Sequence, residues 1–404
     1  MSIQPESRFY VTPFNTPPSQ PDARPSQRRY HYLDYKPPGG VEQKAAVLVL
    51  HGFPDFSSSW RNIVSPLTLA GFRLIIPDLL GYGLSSSPPT SKAGAKSSGG
   101  GEPRLAEYGG KAICTDLDGL LDHAKAGQGA LYGSQTVDKE GRGGRVIVLG
   151  HDWGSWLSWK VGQWLQHRVM GIAGLCVPFA PPTPEPVSID QLIKFLPNFG
   201  YQKFFAEERS TKIIEDNLER FLRLVYTKPG LFSGPDQPTK GELEKARGWN
   251  LEGRLEKLLT DPELSKLDIS KVGSCILDER ELQRYVSVFR SRGMEGPLSW
   301  YRTRMINFQE DRDLKESGLP ASLPALLLTP SEDVAVPASM SVNMPRRVPS
   351  VNIVPVQGSG HFVQNEMPNV VSTEFQRWVE DKVFPSERNA SPFSFKGWLT
   401  RSKL

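Results

Sequence analysis

An aspartate lies at the centre of a short motif that could support covalent catalysis. Residues 150–154 read Gly-His-Asp-Trp-Gly, between an apolar run and a helical pattern. Small residues on both sides let the chain turn sharply from strand to helix and expose the central side chain, here Asp152. A carboxylate that attacks a saturated carbon leaves an ester, which water can cleave. Aspartate is also a favoured N-cap residue, so this motif alone is compatible with simple helix capping.

A second motif follows another apolar run. Residues 51–54 read His-Gly-Phe-Pro, directly after the run 45–50. Backbone N–H groups from such a loop, and from the residue after an elbow nucleophile, bind the oxyanion of an acyl-transfer reaction. We therefore predict the N–H groups of Phe53 and Trp153 as oxyanion donors. His51 is predicted to organise the loop by hydrogen bonds and not to act as a base.

An acid and a histidine occur later in the chain, each after an apolar run. Asp333 follows the run 324–329, and His361 follows the run 351–356. The order nucleophile, acid, histidine is that of α/β-hydrolases, and the carboxyl ends of parallel strands meet at one edge of a sheet. We predict that Asp152, Asp333 and His361 converge as nucleophile, orienting acid and general base. Glu332 remains an alternative to Asp333.

The apolar runs also predict the elements that position these residues. Runs that alternate with helical patterns indicate an α/β fold with a mainly parallel sheet. One segment breaks this rhythm and predicts an inserted helical cap, because its patterns are helical (189–195, 212–226, 242–259 and 279–290) and it contains no run typical of a buried strand. The predicted organisation is an extended N-terminal arm (1–29), a core (30–177 and 308–385), a cap (178–307) and a flexible tail (386–404).

Composition argues against several other classes of protein. The 48 Lys+Arg and 44 Asp+Glu residues give a net charge of +4, too balanced for a dedicated nucleic-acid or membrane-surface protein. No stretch reaches the roughly 18 apolar residues of a membrane helix. The three cysteines lack metal-binding or redox spacing. We therefore expect no nucleic-acid partner and no membrane span.

Together the motifs resemble those of epoxide hydrolases with the α/β-hydrolase fold. The resemblance covers residues 30–385, whereas the arm, two Gly-rich inserts and the tail depart from the family's compact pattern. Members of this family carry two cap tyrosines that hold and protonate the epoxide oxygen. Residues 201–205 and 296–302 resemble the surroundings of those tyrosines, which implies Tyr201 and Tyr301 as proton donors and Phe204 and Trp300 as substrate contacts. Either tyrosine could instead be a core aromatic.

The resemblance implies a two-step reaction without a metal or an organic cofactor. Asp152 would open the ring of a lipophilic epoxide, and water deprotonated by His361 would hydrolyse the ester to give a vicinal diol. Three alternatives remain. A haloalkane dehalogenase uses the same aspartate elbow, an esterase would require serine at position 152, and a non-catalytic binding protein of this fold would be expected to have lost a catalytic position.

The C-terminal residues form an address motif. Ser402, Lys403 and Leu404 read Ser-Lys-Leu, the peroxisomal targeting signal, after a stretch rich in Ser, Arg and Lys. We therefore expect a peroxisomal location and a peroxisomal import receptor as partner. The combination with the hydrolase motifs resembles fungal enzymes of toxin or other secondary-metabolite pathways.

Overall fold

The computed structural model describes residues 3–97, 102–127, 143–229, 248–269, 273–314 and 316–385. Most of its strands join one sheet: β1 Glu6–Val11, β2 Arg29–Tyr35, β3 Ala45–Leu50, β4 Phe72–Pro77, β5 Val146–His151, β6 Val169–Leu175, β9 Ala325–Pro330 and β10 Val351–Val356. The sheet order is β1-β2-β4-β3-β5-β6-β9-β10, parallel from β4 to β10 and antiparallel at β1 and β2. Strands β7 Thr227–Pro229 and β8 Gly273–Cys275 form a separate ribbon.

The central strands are buried on both faces, which explains their uninterrupted apolar sequences. In β3, Ala46, Leu48 and Leu50 belong to one apolar layer, and the alternating residues 45, 47 and 49 belong to the other. Helices cover both layers in the core: α1 Arg61–Leu69, α2 Lys92–Ser97, α3 Gly110–His123, α4 Trp153–Trp164, α13 Val363–Glu366 and α14 Pro368–Trp378. This two-sided cover is what a parallel sheet requires.

The segment between β6 and β9 is mainly helical. Its helices are α5 Ile189–Phe195, α6 Tyr201–Ala206, α7 Arg209–Asp216, α8 Leu218–Tyr226, α9 Arg254–Thr260, α10 Glu279–Arg292, α11 Glu295–Ser299 and α12 Arg304–Asp311. The predicted boundary between cap and core, between residues 307 and 308, lies inside helix α12. The helix continues through this boundary because its buried face packs against the core. No helix in the described ranges is long and apolar enough to cross a membrane. The tail and its last three residues lie outside those ranges.

The predicted N-terminal arm is not separate from the sheet. Strand β1 pairs antiparallel with β2 over its whole length, from Glu6 opposite Asp34 to Val11 opposite Arg29. The following segment is anchored by a buried ion pair, in which Arg28 Nε and Nη2 donate to the two Asp116 carboxylate oxygens at 2.5 and 2.6 Å. The arm is therefore an edge element of the core.

Removing this ion pair should measurably weaken the fold. Replacing Arg28 by methionine leaves the carboxylate of Asp116 buried, with only the Tyr30 hydroxyl, 2.8 Å away, as a side-chain donor. We expect the free energy of unfolding in urea to fall by about 3–5 kcal/mol. Arg24→Met, at an exposed position of the same segment, should change it by less than about 0.5 kcal/mol. Equal stabilities of the two variants would contradict this role for Arg28.

Candidate active site

Asp152 occupies a strained turn between β5 and α4. Its φ of 52° and ψ of −120° lie where non-glycine residues are rare. Space around the turn is minimal, since a Cβ on Gly52 would lie 2.5 Å from the Asp152 Cβ, and one on Gly154 would lie 2.0 Å from the Leu50 carbonyl oxygen. A Cβ on Gly150 would lie 2.0 Å from the Gly154 oxygen. The small residues thus allow the close approach that exposes the aspartate.

Three side chains predicted to act together lie side by side, joined by one hydrogen bond and one longer ion-pair contact. His361 Nδ1 lies 2.7 Å from Asp333 Oδ2, and His361 Nε2 lies 3.6 Å from Asp152 Oδ1. The other Asp333 oxygen accepts the backbone N–H groups of Ala335 and Val336 at 2.8 and 2.9 Å, which orients the carboxylate. Glu332, the alternative acid, instead pairs with Lys228 at 3.0 Å and is half exposed.

Charge interactions set the protonation states of Asp152 and His361. Burial alone would raise the pKa of Asp152, but His361, His151 and the Phe53 N–H hold it below its usual value. Burial alone would lower the pKa of His361, but the carboxylates of Asp333 and Asp152 raise it well above its usual value. These interactions favour an ionised Asp152 beside a protonated His361.

Neighbouring polar groups fix the loop that carries His361. His151 Nε2 donates to the His361 carbonyl oxygen at 2.8 Å, and Cys176 Sγ donates to the same oxygen at 3.0 Å. In the described part of the chain, the side chains of His151, Cys176 and His361 lie close enough together that they could bind a metal ion. Because both donors already bind the carbonyl, the cluster acts as a support for the loop.

His51 supports the opposite loop. Its Nε2 accepts the Leu79 N–H at 2.9 Å, its Nδ1 lies 2.9 Å from the Gly52 carbonyl oxygen, and burial lowers its pKa to about 4. The predicted role as a loop organiser agrees with these contacts. The Phe53 N–H lies in this loop and donates to Asp152 Oδ2 at 2.9 Å. Trp153 begins α4, so its N–H is one of the helix's free N-terminal donors.

The two cap tyrosines face the aspartate. Tyr201 begins α6 and Tyr301 lies in the short helix Trp300–Arg302, and their ring centroids are 6.1 Å apart. Both side chains line the same two cavities as Asp152. Burial and the negative charge of Asp152 raise the pKa of each hydroxyl. Both tyrosines therefore remain protonated and able to donate.

The two predicted substrate contacts differ in their placement. Trp300 lines a cavity, but its indole N–H donates to the Leu80 carbonyl oxygen at 2.9 Å. Phe204 is buried against Phe205 and under the Arg209 guanidinium and lines neither cavity that contains Asp152, whereas Phe205 does. Phe205 is the better placed of the two, because positions 201 and 205 share a face of α6, and the role of Phe204 stays a prediction.

Two cavities meet at Asp152, Tyr201 and Tyr301. One, here the histidine cavity, has a volume of about 60 Å³ and extends past His361 to Lys228. The other, here called the arginine cavity because Arg304 lines it, has a volume of about 370 Å³, which is within the usual range for small-molecule sites. Its wall is mainly apolar and aromatic, with Trp153, Trp156, Phe179, Leu192, Phe199 and Phe308.

Comparison with known proteins identifies the family. The model of the alpha/beta hydrolase family matches residues 47–374, which include the elbow, the acid and the histidine. This chain belongs to the alpha/beta hydrolase family. Among curated relatives of this hydrolase, bifunctional epoxide hydrolase 2 of Mus musculus is 29% identical over 338 residues, 84% of this chain and 52% of the relative. The chain thus spans about half the length of that mammalian protein.

Other relatives and solved structures carry similar names. An epoxide hydrolase of Neurospora crassa is 28% identical over 331 residues, 78% of this hydrolase and 81% of the relative. The crystal structure of epoxide hydrolase A from Mycobacterium thermoresistibile superposes with a TM-score of 0.67 at 22% identity, and it covers 93% of this chain and 98% of that one. The structural match supports the fold.

The sequence analysis missed several side chains of the cavity walls. Phe205 could have been found from its spacing of four residues after Tyr201. Lys228 and Arg304 carry no motif, and Lys228 adjoins residues outside the described ranges. Their positions depend on how the cap packs on the core, which local patterns do not encode.

Proposed function

We propose that this alpha/beta hydrolase converts a lipophilic epoxide to a vicinal diol through an ester on Asp152. The observation that carries the proposal is that the elbow aspartate Asp152 and the two tyrosines Tyr201 and Tyr301 line the same two cavities. The names of the mouse and Neurospora relatives support the same reaction class. The mainly apolar wall of the arginine cavity supports a lipophilic substrate.

In the first step, an oxygen of Asp152 attacks one ring carbon and the carbon–oxygen bond of the ring breaks. The departing oxygen accepts a proton from Tyr201 or Tyr301, so no free alkoxide has to form. A nucleophilic carboxylate suits attack at a saturated carbon because the product is an ester that water can cleave.

In the second step, His361 removes a proton from water, and the hydroxide attacks the ester carbonyl of Asp152. The tetrahedral intermediate then collapses, the bond between the carbonyl carbon and the alkyl oxygen breaks, and the departing oxygen takes the proton from His361 to complete the diol. Formation of the ester removes the negative charge of Asp152, one of the interactions that raise the pKa of His361. Loss of this charge lowers the pKa of His361 and favours release of its proton to solvent, which leaves the neutral imidazole as the base. The N–H groups of Phe53 and Trp153 would bind the oxyanion, at about 3–4 kcal/mol per donor in comparable sites.

Two alternative activities fit the contacts less well. A dehalogenase needs ring N–H donors for the halide, and the Trp153 indole would suit that role, but its side chain is hydrogen-bonded to Tyr301 and the Trp300 indole is bound to Leu80. An esterase needs a serine nucleophile, but Ser155 is buried in α4 and donates to the Val177 carbonyl oxygen at 2.7 Å. The paired tyrosines instead suit an oxygen leaving group.

Isotope labelling over a single turnover tests the ester. With enzyme in excess over styrene oxide in heavy-oxygen water, we expect the label in the Asp152 carboxylate and not in the diol. The reason is that the diol takes one oxygen from the epoxide and the other from Asp152, while water replaces the carboxylate oxygen. Peptide mass spectrometry locates the label. Label entering the diol directly in this first turnover would overturn the covalent route.

We also propose peroxisomal import through Ser402, Lys403 and Leu404, with the import receptor as partner. The support is the Ser-Lys-Leu sequence itself. Its combination with the hydrolase motifs supports a role in fungal toxin or other secondary-metabolite biosynthesis. A fluorescent protein fused to the N-terminus should label peroxisomes, and the label should become diffuse when the three residues are removed. An unchanged distribution would contradict the proposal.

A further inference from the structure

The arginine cavity contains a cation whose hydrogen-bond partner is a neutral group. One face of α12 lines this cavity with Arg304, Asn307, Phe308 and Asp311, which follow helical spacing. Arg304 is half-buried, and burial lowers the pKa of its guanidinium. Its hydrogen-bond partner is the neutral amide oxygen of Gln202, at 3.4 Å. Within the described ranges, no carboxylate lies within 4.0 Å of its nitrogens.

The other polar groups on this face have partners. Asp311 accepts two hydrogen bonds from Lys160, at 2.6 and 2.7 Å, so these two charges cancel. Asn307 accepts the Gly110 N–H at 2.9 Å and donates to the Thr303 hydroxyl at 3.0 Å. Arg304 is therefore the group on this helix face that can bind a ligand without breaking an ion pair.

The histidine cavity is more acidic. Its cation, Lys228, pairs with Glu332 at 3.0 Å and with Glu366 at 3.2 Å. Asp152 lines both cavities, so three carboxylates face Lys228 and His361 in the histidine cavity, whereas Lys160 and Arg304 balance Asp152 and Asp311 in the arginine cavity. An anionic group would therefore be repelled from the histidine cavity and could bind Arg304, which has no carboxylate partner among the described residues.

We propose that Arg304 binds the carboxylate end of an otherwise apolar epoxide. The guanidinium matches a carboxylate with two parallel hydrogen bonds, and these are strong in a partly desolvated site. With the acid at Arg304, the apolar chain lies along the aromatic wall and the ring lies between Asp152 and the two tyrosines. This orientation determines which ring carbon meets Asp152. The part that concerns ring opening rests on the proposed function.

Binding of an inert ligand tests the carboxylate site without any reaction. In calorimetry, dodecanoate should bind the wild-type protein about 10- to 100-fold more tightly than 1-dodecanol, in line with a hydrogen-bonded charge pair. Arg304→Gln should abolish this preference, and Arg304→Lys, which keeps the charge without the fork, should retain part of it. Arg312→Gln, at the exposed end of the same helix, should retain all of it. Equal binding of acid and alcohol to wild type would overturn the proposal.

Turnover of matched epoxides tests the orientation. Wild type should hydrolyse 9,10-epoxyoctadecanoate with a kcat/KM about 10- to 100-fold above that of its methyl ester. Arg304→Gln should bring this ratio close to one, and Arg312→Gln should leave it unchanged. A ratio that survives Arg304→Gln would overturn the role of Arg304 in orienting the substrate. Failure to hydrolyse either epoxide, with dodecanoate still bound through Arg304, would instead contradict the proposed function.

Discussion

Replacing His361 by glutamine should stop the reaction after ring opening and trap the substrate on Asp152. The first step needs the Asp152 carboxylate and a tyrosine proton, whereas the second needs a base for water. We expect diol formation to fall by about 10³- to 10⁴-fold. Intact-protein mass spectrometry after incubation with styrene oxide should show an adduct with the mass of one epoxide. Peptide mapping should place this adduct on Asp152.

The control for this experiment is Asp152→Ala, which removes the nucleophile and should form neither adduct nor diol. If His361→Gln turned over normally, the assignment of the base would be wrong. If Asp152→Ala formed the same adduct, the nucleophile would lie elsewhere.

The pH dependence of the two half-reactions should also differ in wild type. Hydrolysis of the ester should become faster as the pH rises through the pKa of His361 in the esterified enzyme, because only the neutral imidazole accepts a proton. Ring opening should continue below that pKa while Asp152 stays ionised. Single-turnover rates between pH 5 and 9 separate the two steps. An ester that hydrolysed faster at low pH would contradict His361 as the base.

Replacing both Tyr201 and Tyr301 by phenylalanine should slow ring opening by about 10²- to 10⁴-fold. The rings keep their packing, but the leaving oxygen loses both proton donors. Each single variant should lose less, since the remaining hydroxyl still faces Asp152. Pre-steady-state measurement of adduct formation in a His361→Gln background isolates this step.

Tyr108→Phe provides a matched control for the tyrosine variants. Tyr108 is fully buried and its hydroxyl donates to the Pro88 carbonyl oxygen at 3.0 Å, but it lines neither cavity at Asp152. It should alter stability slightly and leave the adduct rate within about twofold of its parent, as expected of a position that contacts no reacting group. A normal rate in the double tyrosine variant would exclude proton donation by the cap.

The convergence of Asp152, Asp333 and His361 was predictable because each follows an apolar run, although β10, the strand before His361, lies at the sheet edge and is only partly buried. A residue that directly follows a parallel strand lies at the edge of the sheet where the carboxyl ends of the strands meet. The choice between Glu332 and Asp333 was not predictable to the same degree. The turn aims one carboxylate at His361 and the other at Lys228, and a local sequence does not encode that difference.

Two strands of the eight-stranded sheet escaped the sequence analysis for opposite reasons, in addition to the short ribbon strands β7 and β8. Strand β1 lies at the edge of the sheet and is mostly exposed, so it lacks the apolar run of its neighbours. Strand β6 is buried but contains two glycines, and a Cβ on Gly174 would lie 2.5 Å from the Ser155 hydroxyl. Close packing of α4 thus removes the side chains that normally mark a strand.

The cap was predicted as helical, but its details depend on tertiary contacts. The helix predicted over 212–226 is divided at Asn217 into α7 and α8. Of the helix predicted over 242–259, residues 242–247 lie outside the described ranges, residues 248–253 form turns and not a helix, and residues 254–259 are helical in α9. Phe204 and Phe205 show the same dependence. They are neighbours in α6 and both are buried, but Phe205 lines the histidine cavity and Phe204 does not.

The crowded turn around Asp152 has a consequence for laboratory evolution of this enzyme. Positions 52, 150 and 154 admit no side chain without displacing backbone atoms of the nucleophile turn or its neighbours. Mutant libraries that randomise these positions would consist almost entirely of inactive clones. Leu192, Arg304 and Phe308 line the arginine cavity and belong to neither that turn nor the tyrosine pair, so diversity placed there can alter selectivity while the reacting groups stay fixed. The chain thus separates an invariant reaction centre from an adaptable recognition surface.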